Sequence, residues 1–400
     1  MPMLITNGLV FQSGKFIRKD IRIEDGKIVT VASSIRPDSG DERVDAQDLL
    51  VVPGLIDPHV HLREPGATYK EDFRTGTRAA IAGGFTCVMD MPNNKPPTTT
   101  KARLAEKIKL AKEKALCDVL FHFGGTDDNF SEVKKAAPNS MKIYMGHTTG
   151  DLFLRKPDSL ERHFQSFPKD RRIVLDVWDS TGNERKDLKT SSGNLQNVIS
   201  LAAGSKRQIH IAHVCRPQEV HEIERYKGCT TEVTPHHLFL SMKDLGKLGA
   251  LAKVNPPLQP DESRRGMWDV LQKIDCIASD HAPHTLEDKE TGAFGFPGLE
   301  TTLALMLDAH KMGMLELGWA IDRMSSNVAE VFSLQGRGQI KKGFIGDITI
   351  IDQRKEWTVD RSELNTKCGW SPFDGWKLKG KAETVIKDGE IRYLEGEIVD

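Results

Sequence analysis

The sequence has no excess of either charge. Its 56 Lys and Arg stand against 57 Asp and Glu, a formal net charge of -1. The basic residues are scattered among acidic ones rather than gathered in a stripe. That argues against a nucleic-acid polymer or an anionic membrane as the main partner. No apolar run approaches the roughly 20 residues that span a bilayer. The start, MPMLITNGLVFQSGKF, has no basic segment followed by a long apolar one. A soluble, cytoplasmic protein is the expectation. Cysteine is sparse: Cys87, Cys117, Cys215, Cys229, Cys276 and Cys368, with no CxxC pair. Most lie in apolar runs such as FTCVMDM and IDCIASD, so buried free thiols are expected rather than disulfides or a thiolate metal site. Also missing are a GxGxxG, a solenoid repeat, a low-complexity tract and coiled-coil heptads.

What is present divides the 400 residues into two kinds of pattern. The start, MLITNGLVFQSGKF and IRIEDGKIVTVA, alternates apolar residues between the turn signals TNG, QSG and EDGK. The end, FIGDITIID and AETVIKDGEIRYLEGEIV, does the same. The two ends, 1–52 and 340–400, are therefore expected to pair into one small β domain, a β-sandwich in outline. Between them, 53–339 carries eight apolar runs: GLIDPHVH, FTCVMDM, DVLFHF, MKIYMG, RIVLDVW, QIHIAHV, TTEVT and DCIASD. Amphipathic stretches such as TKARLAEKIKLAKEKALC and ESRRGMWDVLQKI separate them. Eight strands alternating with helices over about 230 residues predict an α/β protein with a (β/α)8 barrel. An open doubly wound sheet is the alternative.

Polar residues stand at the ends of these runs, and a barrel brings such ends to one mouth. His59 and His61 close the first run, and Asn93 follows the second. Lys142 lies in the fourth, Asp176 in the fifth, His213 in the sixth; Asp280 ends the eighth, with His284 just after. In a strand, His59 and His61 point to the same face, and two imidazoles suit Zn, Mn, Fe or Ni. A lysine inside MKIYMG is costly to bury. Either Lys142 snorkels or pairs, or its amine is converted by carbon dioxide to a carbamate able to bridge two metals. Asp280 beside a metal suits a general base. Arg63 reads as a bidentate partner for a substrate carboxylate, or as a surface ion pair with a neighbour such as Glu64. Asn93 and Asn255, each beside proline, suit either substrate recognition or plain Asx-turns. His122 and His210 read as core residues; His163, His221 and His310 as solvated; His236 and His237 as supports of the site or packing residues.

Taken together, GLIDPHVHLREPG, DMPNNKPPTTT, MKIYMG, HIAHV, EVTPHHLFLS, KVNPPL, ASDHAPHT and GFPGLET resemble the dihydroorotases. The likeness is to the type I enzymes and to the dihydroorotase part of the animal trifunctional pyrimidine protein. It covers nearly the whole chain. It implies an amidohydrolase barrel, and the reversible hydrolysis of dihydroorotate to N-carbamoyl-L-aspartate in pyrimidine synthesis. It implies that His59, His61 and Asp280 bind one Zn2+. It further implies that Lys142, N6-carboxylated, bridges to a second ion held by His213 and one more histidine. Arg63, Asn93 and His284 would hold the substrate carboxylate. Asn255 and the backbone around Pro297 and Gly298 would face the ring, and Asp280 would shuttle the proton. The loop GHTTGDL after Lys142 would cover the site.

One position departs from that pattern. The fifth run, RIVLDVWDSTGN, has Asp176 where the family places a histidine. Asp176 is then a carboxylate ligand, or the second site is weak and the enzyme works with one ion, or activity is lost. Other cyclic amidohydrolases, such as allantoinases and hydantoinases, are the rival reading. A catalytically impaired subunit beside an aspartate transcarbamoylase is the other. A homodimer is expected, with such a partner enzyme as a further possibility.

Overall fold

The computed structural model describes residues 1–148, 152–156, 158–179 and 184–399. The two chain ends form one nine-stranded sheet. Its order is Glu397–Ile398, Glu390–Leu394, Lys377–Lys387, Ile348–Thr358, Leu50–Pro53, Met3–Gln12, Lys15–Glu24 and Lys27–Ala32, with Glu42–Asp45 also paired to Met3–Gln12. The ends meet at Leu50–Pro53, which runs antiparallel to Ile348–Thr358 and parallel to Met3–Gln12. Tight turns at Ser13-Gly14, Asp25-Gly26, Asp388-Gly389 and Glu395-Gly396 have positive φ at both residues. That is the mirror-image turn whose twist suits two-residue hairpins. Met3, Ile5, Ile21, Ile23, Ile348, Ile350 and Ile386 pack into a small core of this sheet's own.

All eight apolar runs of the middle segment form parallel strands, adjacent in chain order. They are Leu55–Val60, Phe85–Asp90, Asp118–Gly124, Ser140–Tyr144, Arg172–Asp176, Ile209–Ile211, Cys229–Val233 and Cys276–Ile277. A bridge from Val60 to His281, and the 2.7 Å bond from His61 N to His281 O, bring the last strand back to the first. Strands covered on both faces read as unbroken apolar runs, which is why they are visible in the sequence. All six cysteines are free thiols.

One helical residue breaks the amphipathic pattern and serves the site. Lys107, in the helix Lys101–Lys114, is fully buried 2.6 Å from Asp90 Oδ2. It also donates to Met91 O at 2.8 Å and Asn94 Oδ1 at 2.6 Å. A buried ion pair repays its desolvation only with such extra bonds, and here they pin the turn carrying Asn93. The C-terminal segment also reaches the barrel. Trp370 Nε1 donates to His284 O at 2.7 Å, Thr366 Oγ1 to Glu71 Oε2 at 2.6 Å, and Asn365 N to Glu300 Oε1 at 2.8 Å.

Candidate metal and substrate site

His59 and His61 project from the end of the first barrel strand, and the outer nitrogen of each ring is engaged. His59 Nδ1 lies 2.5 Å from Glu232 Oε1, and His61 Nδ1 lies 2.8 Å from Asn93 Oδ1. The inner nitrogens are thereby left facing Asp280: Oδ1 is 3.3 Å from His59 Nε2 and 3.1 Å from His61 Nε2. One ligand atom from each of the three residues fits within 4.8 Å, all of it buried. Glu232 is itself held by His210 Nε2 at 3.1 Å. Burial, then Lys142, pushes His59 down to about 4, so its ring is neutral near pH 7. Burial raises Asp280, and His59 and His61, in their protonated forms, outweigh it and bring the carboxyl below its ordinary range. Neutral imidazoles and an ionised carboxylate are the forms that bind a divalent cation.

Lys142, Asp176 and His213 come from the fourth, fifth and sixth strands of the same mouth. His213 Nε2 lies 3.5 Å from Asp176 Oδ2, and the rings of His59 and His213 are 5.2 Å apart. Lys142 Nζ is fully buried and has no hydrogen-bond partner among the described residues; it lies 5.1 Å from the centre of the Tyr144 ring. Burial lowers its pKa, favouring the free amine. Arg63, His213 and Asp280 adopt φ of 61°, 36° and 45°. Such left-handed backbone is uncommon outside glycine and clusters at functional sites. Here it marks where the chain turns sharply as it leaves its strand.

A cavity of about 470 Å³ joins these groups to the expected substrate residues: His59, His61, Arg63, Asn93, Asp176, His213, Asn255, Asp280 and His284 all line it. Arg63 is buried and does not pair with Glu64. Its Nε donates to Pro283 O at 3.0 Å, and its Nη2 lies 3.0 Å from His284 Nε2. Glu64 instead meets Lys114. Pro297 and Gly298 are not brought together with the others. They line a separate, much smaller cavity with His281, and Gly298 N lies 3.2 Å from His281 Nδ1. Ala293, Phe294 and Gly295 occupy the cavity wall instead. Of the expected covering loop, His147 and Thr148 line the cavity, with Asn93 Nδ2 donating to Thr148 Oγ1 at 3.1 Å. Residues 149–151 lie outside those described.

Some histidines fall where the sequence put them; His163 does not, and His310 is half-buried, its Nδ1 3.0 Å from Leu315 O. His122 and His210 are buried, and the rings of His236 and His237, tilted 53° to each other, share the Thr234 hydroxyl between their nitrogens. His163 is fully buried rather than solvated, its Nε2 2.7 Å from Thr126 O. Residues that escaped the sequence reading include Glu232, Lys70 and Tyr144. Glu232 is a carboxylate in an apolar strand, the same anomaly that exposed Lys142. Lys70 sits in an unremarkable polar stretch. Tyr144 lines the cavity with its hydroxyl buried and without a hydrogen-bond partner among the described residues.

The amidohydrolase family model matches residues 50–392. The chain belongs to that family. As an amidohydrolase it has relatives of full length: a dihydroorotase from Pyrococcus abyssi is 38% identical, covering 99% of this chain and 96% of that one. The multifunctional protein CAD of Squalus acanthias is 36% identical over 90% of this chain and 16% of its own length. Among solved structures, L-hydantoinase from Arthrobacter aurescens superposes with a TM-score of 0.95 at 25% identity, covering 100% and 97% of the two chains.

Proposed function

We propose that this amidohydrolase is a dihydroorotase, hydrolysing the cyclic amide of dihydroorotate to N-carbamoyl-L-aspartate and running the reverse cyclisation. The observation that carries this over a hydantoinase or allantoinase reading is Arg63. It is a guanidinium 7% exposed, held on the wall of the cavity that contains the His59, His61 and Asp280 group. A buried cation there calls for an anionic substrate, and dihydroorotate carries a carboxylate where a hydantoin need not.

The residues fit a divalent metal, with zinc as the proposed ion. His59, His61 and Asp280 would hold one ion; Lys142 as its carbamate, Asp176 and His213 would hold a second. The support for the carbamate is the orphaned, buried Nζ of Lys142. Its free amine adds to carbon dioxide and loses one proton, leaving a carboxylate on the nitrogen. Metal ions at such a site supply Lewis acidity, lowering the pKa of water and polarising an amide carbonyl. Asp280 accepts the proton of the attacking water and passes it to the departing ring nitrogen. Arg63, Asn93 and His284 hold the substrate carboxylate, which orients the amide toward Asp280. Asn255 lines the side that the ring occupies. The reverse reaction uses the same groups in the opposite order.

Assays on dihydroorotate, allantoin and hydantoin, with metal analysis of the same preparation, test the reading. Turnover of dihydroorotate above the other two is expected. Turnover confined to allantoin or hydantoin, or a folded metal-free protein with unmodified Lys142, would sink it. A cytoplasmic homodimer and association with an aspartate transcarbamoylase belong to the same proposal. Among the described residues no helix is long and apolar enough to cross a membrane. Sedimentation of the protein alone and with that enzyme tests the assembly.

A further inference from the structure

Lys70 stands on the cavity wall beside Arg63 and His284. Its Nζ lies 3.0 Å from His284 Nδ1 and 3.2 Å from Asp288 Oδ1. On the far side of the same ring, Arg63 Nη2 lies 3.0 Å from His284 Nε2. Burial, then Arg63 and Lys70, hold this imidazole neutral. A neutral imidazole has one N–H and one lone pair. It therefore cannot accept from both cations, and one of the two contacts sets donor against donor.

The two ways of placing the proton are not equivalent. With the proton on Nδ1, the N–H faces an ammonium, and Asp288 Oδ2 at 3.9 Å is too distant to accept it. With the proton on Nε2, Lys70 has its acceptor and the opposed donors are the Nε2 N–H and the Arg63 guanidinium, 3.0 Å apart on two residues that line the cavity. A carboxylate arriving there accepts from both, converting the mismatch into two charge-assisted bonds. We propose that Lys70 is a positioning residue. It fixes His284 as the Nε2–H tautomer and so builds, with Arg63, a two-donor receptor for the substrate's carboxylate. This deepens the dihydroorotase reading above and rests on it for the identity of the anion.

Steady-state kinetics on dihydroorotate separate this role from simple stapling. Lys70→Met should raise KM about tenfold or more while kcat stays within about threefold, the signature of lost uniform binding. Lys70→Arg, which keeps a donor near Nδ1, should return KM to within about threefold of the parent. Asp288→Asn removes the ion pair but leaves the amine, and should keep KM near the parent value. A Lys70→Met enzyme with parental KM overturns the proposal. So does an Asp288→Asn enzyme as impaired as Lys70→Met, since that is the behaviour of a staple. Nitrogen NMR of 15N-histidine-labelled parent protein reads the tautomer without any variant: a proton on Nε2 of His284 is expected, and one on Nδ1 refutes the assignment. A parent that leaves dihydroorotate untouched defeats the functional reading, while the NMR result still judges Lys70.

Discussion

The two halves of the metal mouth are prepared to different degrees. In the half made by His59, His61 and Asp280, both outer ring nitrogens are already engaged, by Glu232 and Asn93, so the ligand atoms converge without further adjustment. In the half made by Lys142, Asp176 and His213, an amine stands without a hydrogen bond and the histidine leans on the carboxylate at 3.5 Å. The first half already gathers three ligand-type atoms; in the second, Asp176 and His213 face each other beside a buried amine. Outer partners of metal-ligating histidines fix tautomer and orientation, and they account for the contrast.

The sharpest way to break the comparison is at Asp280, which serves the first half and the proton path together. Asp280→Asn should lower kcat on the order of 10⁴-fold, combining loss of the general base with a weakened ligand; stopped assays with excess metal measure it. In the second half, Lys142→Ala should remove one of two metal equivalents and lower kcat by about 100-fold, corresponding to about 3 kcal/mol of transition-state stabilisation. Metal content by mass spectrometry is the check. Asp176→Ala should lose the same equivalent, and unchanged occupancy in that variant would mean a one-metal enzyme. Glu232→Gln should weaken metal binding in the first half roughly 10-fold or more while leaving Lys142 modified, as read by chelator competition.

The smallest effect concerns pH and stability. Burial, the dominant cause, pushes His122 down to about 3 and His237 to about 4, from an ordinary 6.5. The unfolded chain takes up a proton on each as pH falls past 6.5, whereas the folded chain resists until about 4. Both therefore add stability that is complete above pH 6.5 and is lost as pH falls through those folded values. The melting temperature of the metal-loaded protein should drop across that window. The drop should be shallower in His237→Gln, and an identical slope in that variant counts against the assignment.

The barrel was legible because parallel strands covered on both faces read as apolar runs, and the candidate metal ligands because they interrupt those runs. The hairpins at the chain ends announced themselves through their Gly-containing turns. What stayed hidden depends on contacts between segments distant in sequence. Lys107 looks like any solvated lysine of an amphipathic helix until Asp90 is placed opposite it. His163 lies in SLERHFQS, a polar stretch, yet its helix turns that face inward. Lys70 gains meaning only from His284, more than 200 positions away. Pro297 and Gly298 sit in GFPGLET, a segment that resembles the dihydroorotases, but the chain turns so that their neighbours Ala293, Phe294 and Gly295 face the cavity.

The bond from Trp370 to the carbonyl of His284, and the pairing of Leu50–Pro53 with Ile348–Thr358, set an order in time. A ribosome delivers His59 and His61 well before Ile348–Thr358, which pairs with the strand just ahead of them, and before Trp370, which braces His284. A nascent chain can thus hold the whole His59, His61 and Asp280 group and still lack the brace on His284. Bracing of the His284 carbonyl therefore waits until Trp370 has been made.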